Sequence, residues 1–330
     1  MPKEIRWGIL GCGDVTEVKS GPALRSPLQS RLVSVMRRDA AKAADYAARH
    51  GVPRWTDNAD ALIADPELNA IYVATPPSTH ADYTIRALRA GKDVLVEKPM
   101  ALTPRECDAI EAAVADTGRR LSVAYYRRCL PRFERLREIV ETGLIGVPRA
   151  AELRHYRPVD ALPKQSWKLD PEICGGGIFA DVHVHTLDWL TYLFGPPVAA
   201  RGLTKRQAGR YAAEDLVAFT VDFGDVVATG LCVYATDQHD ESLTIHGSDG
   251  HVSMGAFGGA PIRLVRDGQT QELRLPDPGQ THAPLIAQVV AHFRGEGPNP
   301  CDARAGRQAT DMLASIYASP TMQGSNTSRR

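Results

Sequence analysis

Short apolar runs at 5–10, 31–36, 70–75, 93–96 and 121–124 alternate with stretches of helix-like apolar spacing at 40–49, 59–63, 79–90 and 104–116. Strand-length runs separated by helices of this length predict βαβ units around a parallel sheet. The punctuation agrees. Thr103 precedes Pro104, and Glu106 follows three residues after Thr103, which is the pattern of an N-cap with its reciprocal acid. Gly91 follows the preceding helix as a residue beyond a C-terminus would.

Past residue 125 the rhythm changes. Helical spacing is expected at 133–141, 178–194, 284–293 and 303–317, and strands at 150–157, 216–223, 226–234, 242–246 and 263–266. Gly224-Asp225 separates two consecutive strands, so the chain turns there in a hairpin of an antiparallel sheet. The expected fold class is α/β: a doubly wound parallel sheet over 1–124, then an α+β domain over 125–319 with an open, mainly antiparallel sheet. The polar segment 320–330 reads as a flexible tail.

The 330-residue length also favours two domains. Lys plus Arg (39) balances Asp plus Glu (39), so no charge surplus supports nucleic-acid binding. With 43% hydrophobic and 24% charged residues the chain reads as a soluble globular protein rather than a disordered one. No apolar stretch is long enough to span a bilayer. Glu4 and Arg6 interrupt the apolar region that a signal peptide needs, so a cytoplasmic location is expected. The six cysteines form no C-x-x-C pair, which favours buried, reduced thiols over a zinc site or a disulfide framework.

Directly after the first run comes Gly11-x-Gly13-x-x-Thr16. Gly11 permits a tight turn, Gly13 lets the backbone approach a pyrophosphate, and the following helix start, with Asp14 and Val15, favours an anion. Thr16 replaces the usual third small residue, and its hydroxyl is expected to reach a phosphate oxygen. The second run ends in Arg37-Arg38-Asp39. A guanidinium at that tip suits the 2′-phosphate of NADP, whereas NAD is usually held there by an acid. NADP is therefore expected over NAD. The other reading, with Asp39 on the ribose and Arg38 on the adenine, stays open.

Glu97-Lys98-Pro99 ends the fourth run, and Gly175–Asp188 reads GGGIFADVHVHTLD. With Ala74-Thr75-Pro76-Pro77-Ser78-Thr79-His80 and the glycine loop, these segments resemble the Gfo/Idh/MocA oxidoreductase family over about residues 3–318. The resemblance implies a Rossmann domain followed by a domain whose open sheet holds the substrate against the nicotinamide. It matches the family's motif lysine to Lys98, its aspartate to Asp181 and its catalytic histidine to His185. Family members carry a small residue where this chain has His183, so a second imidazole is expected near the site. Tyr125-Tyr126-Arg127-Arg128 matches a segment bordering nicotinamide and substrate. Thr75, Pro76, His80, Glu97, Lys98 and Arg127 are then candidate cofactor contacts, although His80 equally well begins a helix.

The residues support this chemistry independently. Asp181 and His185 are four apart on one helix, so they share a face, and the carboxylate is expected to orient the ring. An imidazole with an ordinary pKa of ~6.5 suits acid–base work on a hydroxyl, and the Lys98 ammonium suits the developing alkoxide. Candidate substrate contacts are Lys98, Tyr126, Trp167, Asp181 and His185, with Trp167 either stacking on a sugar face or buried in the core. Arg154, His155, Arg157, Lys164 and Lys168 precede the glycines of 175–177, either as a solvated basic face or as contacts for an anionic substrate. By resemblance the substrate is a sugar or cyclitol, and the protein a homodimer or homotetramer. The alternatives are a nicotinamide-retaining glycosidase of the same family and a non-catalytic dinucleotide-binding regulator.

Overall fold

The N-terminal apolar runs assemble into one parallel sheet. In the computed structural model, which describes residues 4–25, 29–158 and 166–318, its strands are β1 (Ile5–Leu10), β2 (Ser30–Met36), β3 (Arg54–Thr56), β4 (Ala70–Val73), β5 (Asp93–Val96) and β6 (Leu121–Val123). Their spatial order is β3-β2-β1-β4-β5-β6. The order reverses between β1 and β4, so the loops after these two strands diverge at one crevice, where doubly wound sheets bind ligands. β1, β4 and β5 are buried along nearly their whole lengths, as parallel strands covered on both faces must be. The expected cap forms: Thr103 Oγ1 accepts from Glu106 N, and the Glu106 carboxylate returns to Thr103 N.

The second sheet contains β7 (Pro148–Tyr156), β8 (Ala199–Lys205), β9 (Leu216–Asp222), β10 (Val227–Val233), β11 (Asp240–Gly247), β12 (Gly250–Met254), β13 (Ile262–Arg266) and β14 (Gln269–Leu273). Their order is β14-β13-β12-β11-β7-β10-β9-β8, antiparallel throughout except where β7 meets β10. The hairpin at Gly224-Asp225 is present, closed by Phe223 N donating to Val226 O at 2.9 Å. Four strands (β3, β8, β12 and β14) lie outside the sequence expectation.

Helix Ile178–Phe194 lies between the sheet and its neighbours, and from Ile178 to Thr191 only Asp181 and Val182 escape full burial. A helix buried on nearly every side is a core element, and its opening at Asp181 and Val182 marks a site. Phe179 packs on Phe219 of β9, and Trp189 on Phe133. Helices Ala283–Arg294 and Ala303–Ala318 then return to the first sheet. Phe293 packs on Trp7 of β1, and Cys301 O accepts from Val123 N of β6. Gly306 allows the second of these helices to touch β6: a Cβ there would lie 2.4 Å from Val123 Cγ2. All six cysteines are free and buried.

Candidate active site

The glycine loop crosses the crevice between β1 and β4. Gly11 has φ +91°, and a Cβ there would lie 2.8 Å from Thr75 N, so glycine is needed for both backbone angle and space. Gly13 differs, because a Cβ on it would meet nothing closer than Gly11 O at 4.0 Å. Helix Asp14–Val18 is only five residues long, and the amides of Asp14 and Val15 have no partner among the described residues. Open space at Gly13 beside free amides fits a pyrophosphate. Thr16 is not part of that cradle. It is fully buried, its hydroxyl donates to Gly13 O (2.8 Å) and accepts from Gly13 N (3.0 Å), and so it closes the turn rather than meeting a phosphate.

Arg37 folds back onto the loop and donates to Cys12 O at 3.2 Å. Arg38 is exposed and has no side-chain partner among the described residues. Asp39 is used as the N-cap of helix Ala40–His50, accepting from Lys42 N at 3.1 Å. On the β4 side, Thr75 and Pro76 are half-buried beside the glycine loop. His80 begins helix His80–Arg89 and is 1% exposed. Its Nδ1 lies 2.8 Å from Pro99 O and its Nε2 2.8 Å from Thr75 O, so it clamps the loops after β4 and β5 together.

Lys98 follows β5, and its ammonium reaches helix Ile178–Phe194. Nζ donates to Asp181 O at 2.6 Å and Oδ1 at 2.8 Å. Lys168 takes the other carboxylate oxygen, with Nζ 3.0 Å from Asp181 Oδ2. Burial would raise the Asp181 carboxyl, but these two ammoniums hold it well below the usual carboxylate range. Burial likewise opposes the Lys98 charge, and Asp181 and Glu97 more than offset it. Asp181 therefore orients Lys98, not His185. Glu97 is buried; its carboxylate accepts from the Tyr72 hydroxyl and from Lys98 N. Burial pushes Glu97 up, but His282, Lys98 and Tyr72 bring it down to about 2.

One turn beyond Asp181, His185 is 5% exposed, and its Nδ1 has no partner among the described residues. Burial first, then the charges of Lys98, Arg127, His282 and Lys19, push its pKa well below the ordinary imidazole value. The buried ring thus favours its neutral form, which corrects the expectation of an unshifted imidazole. Its contacts are aromatic: Tyr126 edge-on at 4.8 Å and Tyr125 at 6.0 Å.

Other expected residues point elsewhere. His183 faces the second sheet, its Nε2 2.8 Å from His155 Nδ1, and belongs to the core rather than the site. Arg127 is 2% exposed, stacks over Phe257, and donates to Thr186 Oγ1 at 3.1 Å; it is an interior residue. Among the described residues of the basic segment, the side chains have separate surroundings. Arg154 pairs with Asp240, His155 is buried, Lys168 serves Asp181, and Lys164 lies outside the described residues, as does 320–330. Trp167 is 38% exposed and holds Lys168 over its ring, so it is not a core tryptophan. Sequence reasoning missed Lys168 as the second partner of Asp181, Glu214 and His282. Glu214 Oε1 accepts from Gly177 N at 2.9 Å and from the Tyr317 hydroxyl at 2.7 Å, which secures the start of the Asp181 helix.

The NAD-binding Rossmann profile of the Gfo/Idh/MocA oxidoreductase family matches residues 5–125, and the profile of its C-terminal domain matches 133–253. The chain belongs to the Gfo/Idh/MocA oxidoreductase family. An oxidoreductase of Formosa agariphila is 34% identical, across 95% of this chain and 98% of its own length. A 1,5-anhydro-D-fructose reductase of Ensifer adhaerens is 28% identical, across 88% and 89%. Among solved structures, an aldose-aldose oxidoreductase from Caulobacter crescentus, complexed with glycerol, superposes with a TM-score of 0.84 at 25% identity, covering 96% of this chain and 97% of that one. This Gfo/Idh/MocA protein is thus an oxidoreductase with an NAD(P)-binding Rossmann domain. Among the described residues, no helix is long and apolar enough to cross a membrane.

Proposed function

We propose that this protein is an NADP(H)-dependent oxidoreductase acting on a carbinol or ketone carbon of a sugar, sugar derivative or cyclitol. The observation that carries the reading is the meeting of Lys98 with Asp181 one helical turn from His185, beside the glycine loop. An ammonium has three N–H donors, and two of those on Lys98 are committed to Asp181. The third is free for a substrate oxygen and would stabilise developing alkoxide. His185, held neutral, accepts the hydroxyl proton during oxidation and returns it during reduction. A bound nicotinamide supplies the hydride acceptor or donor.

The carbohydrate class is supported by the relatives that act on anhydrofructose and aldoses, and by exposed Trp167 beside the Asp181 cluster. NADP is favoured over NAD by Arg38, unpaired at the tip of β2, and by the commitment of Asp39 to a helix cap. Self-association through the second sheet is supported by Val227 and Leu231, which share one face of β10 and are 41% and 38% exposed. Fluorescence titration with NADPH and NADH, then a panel of inositols, aldoses and ketosugars followed by nicotinamide absorbance, tests the function. No turnover with either cofactor across the panel would sink it. Glycoside cleavage without net cofactor turnover would instead identify the retaining glycosidase.

A further inference from the structure

His282 stands at the start of helix Ala283–Arg294, where the chain returns to the first sheet, and is 2% exposed. Its ring stacks on Tyr126 with centroids 4.5 Å apart at 26°. Tyr126 in turn meets His185 edge-on at 4.8 Å and 74°. On its other side, His282 Nε2 lies 3.4 Å from Glu97 Oε1, next to Lys98 in the chain. Among the described residues, His185 Nδ1 has no hydrogen-bond partner, and Asp181 is taken by two lysines. The aromatic rings packed on it are Tyr125 and Tyr126, and Tyr126 is backed in turn by His282.

We infer that His282 is a positioning residue: its ring backs Tyr126 and so holds Tyr126 against the His185 imidazole. The inference rests on the roles proposed for Lys98 and His185. The contact that matters is the aromatic face of His282 against Tyr126. Phe keeps an aromatic face for that stack and Asn does not, which separates stacking from side-chain polarity.

The test uses the intact protein with His282→Ala, His282→Phe and His282→Asn. Histidine-selective carbon NMR of the cofactor-free protein, with the His185 signal assigned through His185→Gln, reports the ring directly. His282→Ala should move that signal, Phe should restore it and Asn should not. With NADPH and the panel ketosugar that turns over fastest, His282→Ala should lower kcat about 10- to 100-fold while KM stays within about 2-fold. NADPH affinity should be unchanged, and Phe should recover most of kcat. An unmoved His185 signal in His282→Ala, or rescue by Phe no better than by Asn, overturns the inference. The proposed site roles fail separately, if Lys98→Met and His185→Gln turn over at the wild-type rate.

Discussion

Lys98 Nζ and Asp181 Oδ1 lie 2.8 Å apart although 83 residues separate them in sequence, and the pair joins the parallel sheet to the central helix of the second domain. The carboxylate keeps a buried ammonium charged and points it. Asp181→Asn preserves shape and removes that charge, so Lys98 should titrate at lower pH and the alkaline limb of the kcat/KM profile should move down with it. Turnover should fall about 10²- to 10³-fold, the scale of losing one oriented donor to a developing oxyanion. Lys168→Met should cost much less, because Lys98 keeps both of its acceptors. Steady-state kinetics across pH checks both; wild-type kcat in Asp181→Asn would show that the pair is not part of the chemistry.

The two arginines at the end of β2 have different tasks. Arg37 is bonded to Cys12 O within the glycine loop, whereas Arg38 is free to meet a 2′-phosphate. Arg38→Glu should therefore weaken NADPH by about 10- to 100-fold, the cost of one charge-assisted contact, and leave NADH nearly unchanged. Arg37→Ala should weaken both cofactors alike, by loosening the loop. Fluorescence titration of each variant with each cofactor resolves the two roles. An unchanged NADPH-to-NADH ratio in Arg38→Glu would remove the case for NADP.

The parallel sheet was legible because its central strands are continuous apolar runs, and the site because Lys98, Asp181 and His185 sit in motifs of fixed spacing. β14 was not legible: QTQEL lies at a sheet edge, almost fully exposed, with no core face to enforce alternation. β3 is three residues long and carries exposed Trp55. Within the site, helical spacing placed Asp181 and His185 on one face but could not reveal that two lysines from other segments would claim the carboxylate. His183 misled for a related reason. Between Ile178 and Thr191 nearly every side chain is buried, so a histidine there is as readily a core residue as a site residue. Lys168 and His282 carried no motif, and only the tertiary return of the chain brings them in.

Arg128 and Asp188 illustrate a purely structural use of charge. Arg128 Nε and Nη2 meet Asp188 Oδ2 and Oδ1 at 2.9 and 2.6 Å, with both side chains buried. Burial raises the Asp188 carboxyl despite its partner, so the pair is held against a desolvation cost. Arg128→Ala strands a buried carboxylate and should destabilise the protein by about 3–5 kcal/mol. Replacing both, as Arg128→Met with Asp188→Leu, should recover most of that loss. Urea unfolding decides it: a single-variant loss under about 1 kcal/mol would mean that water already reaches the pair.

His155 and His183 give the fold an acid sensitivity separate from its carboxylates. The two rings share one hydrogen bond at 2.8 Å in the core, which requires a donor on one nitrogen and a lone pair on the other. Burial, with Arg157, His239 and Arg127 nearby, lowers His155 to about 4. Burial with His155 and Arg127 holds His183 well below the ordinary value as well. In the unfolded chain each returns to ~6.5, so below that pH the unfolded state binds more protons than the native state. Stability contributed by the neutral pair is thus complete above ~6.5 and declines as pH falls toward 4. Buried His80 and His185 act in the same direction, so the pair's share must be isolated. His155→Gln with His183→Gln keeps hydrogen-bonding capacity and removes two titrations. Denaturant unfolding between about pH 7.5 and 5, where ordinary carboxylates stay mostly ionised, should give that variant a shallower dependence of stability on pH than the wild type. Parallel slopes would place the acid sensitivity in other groups.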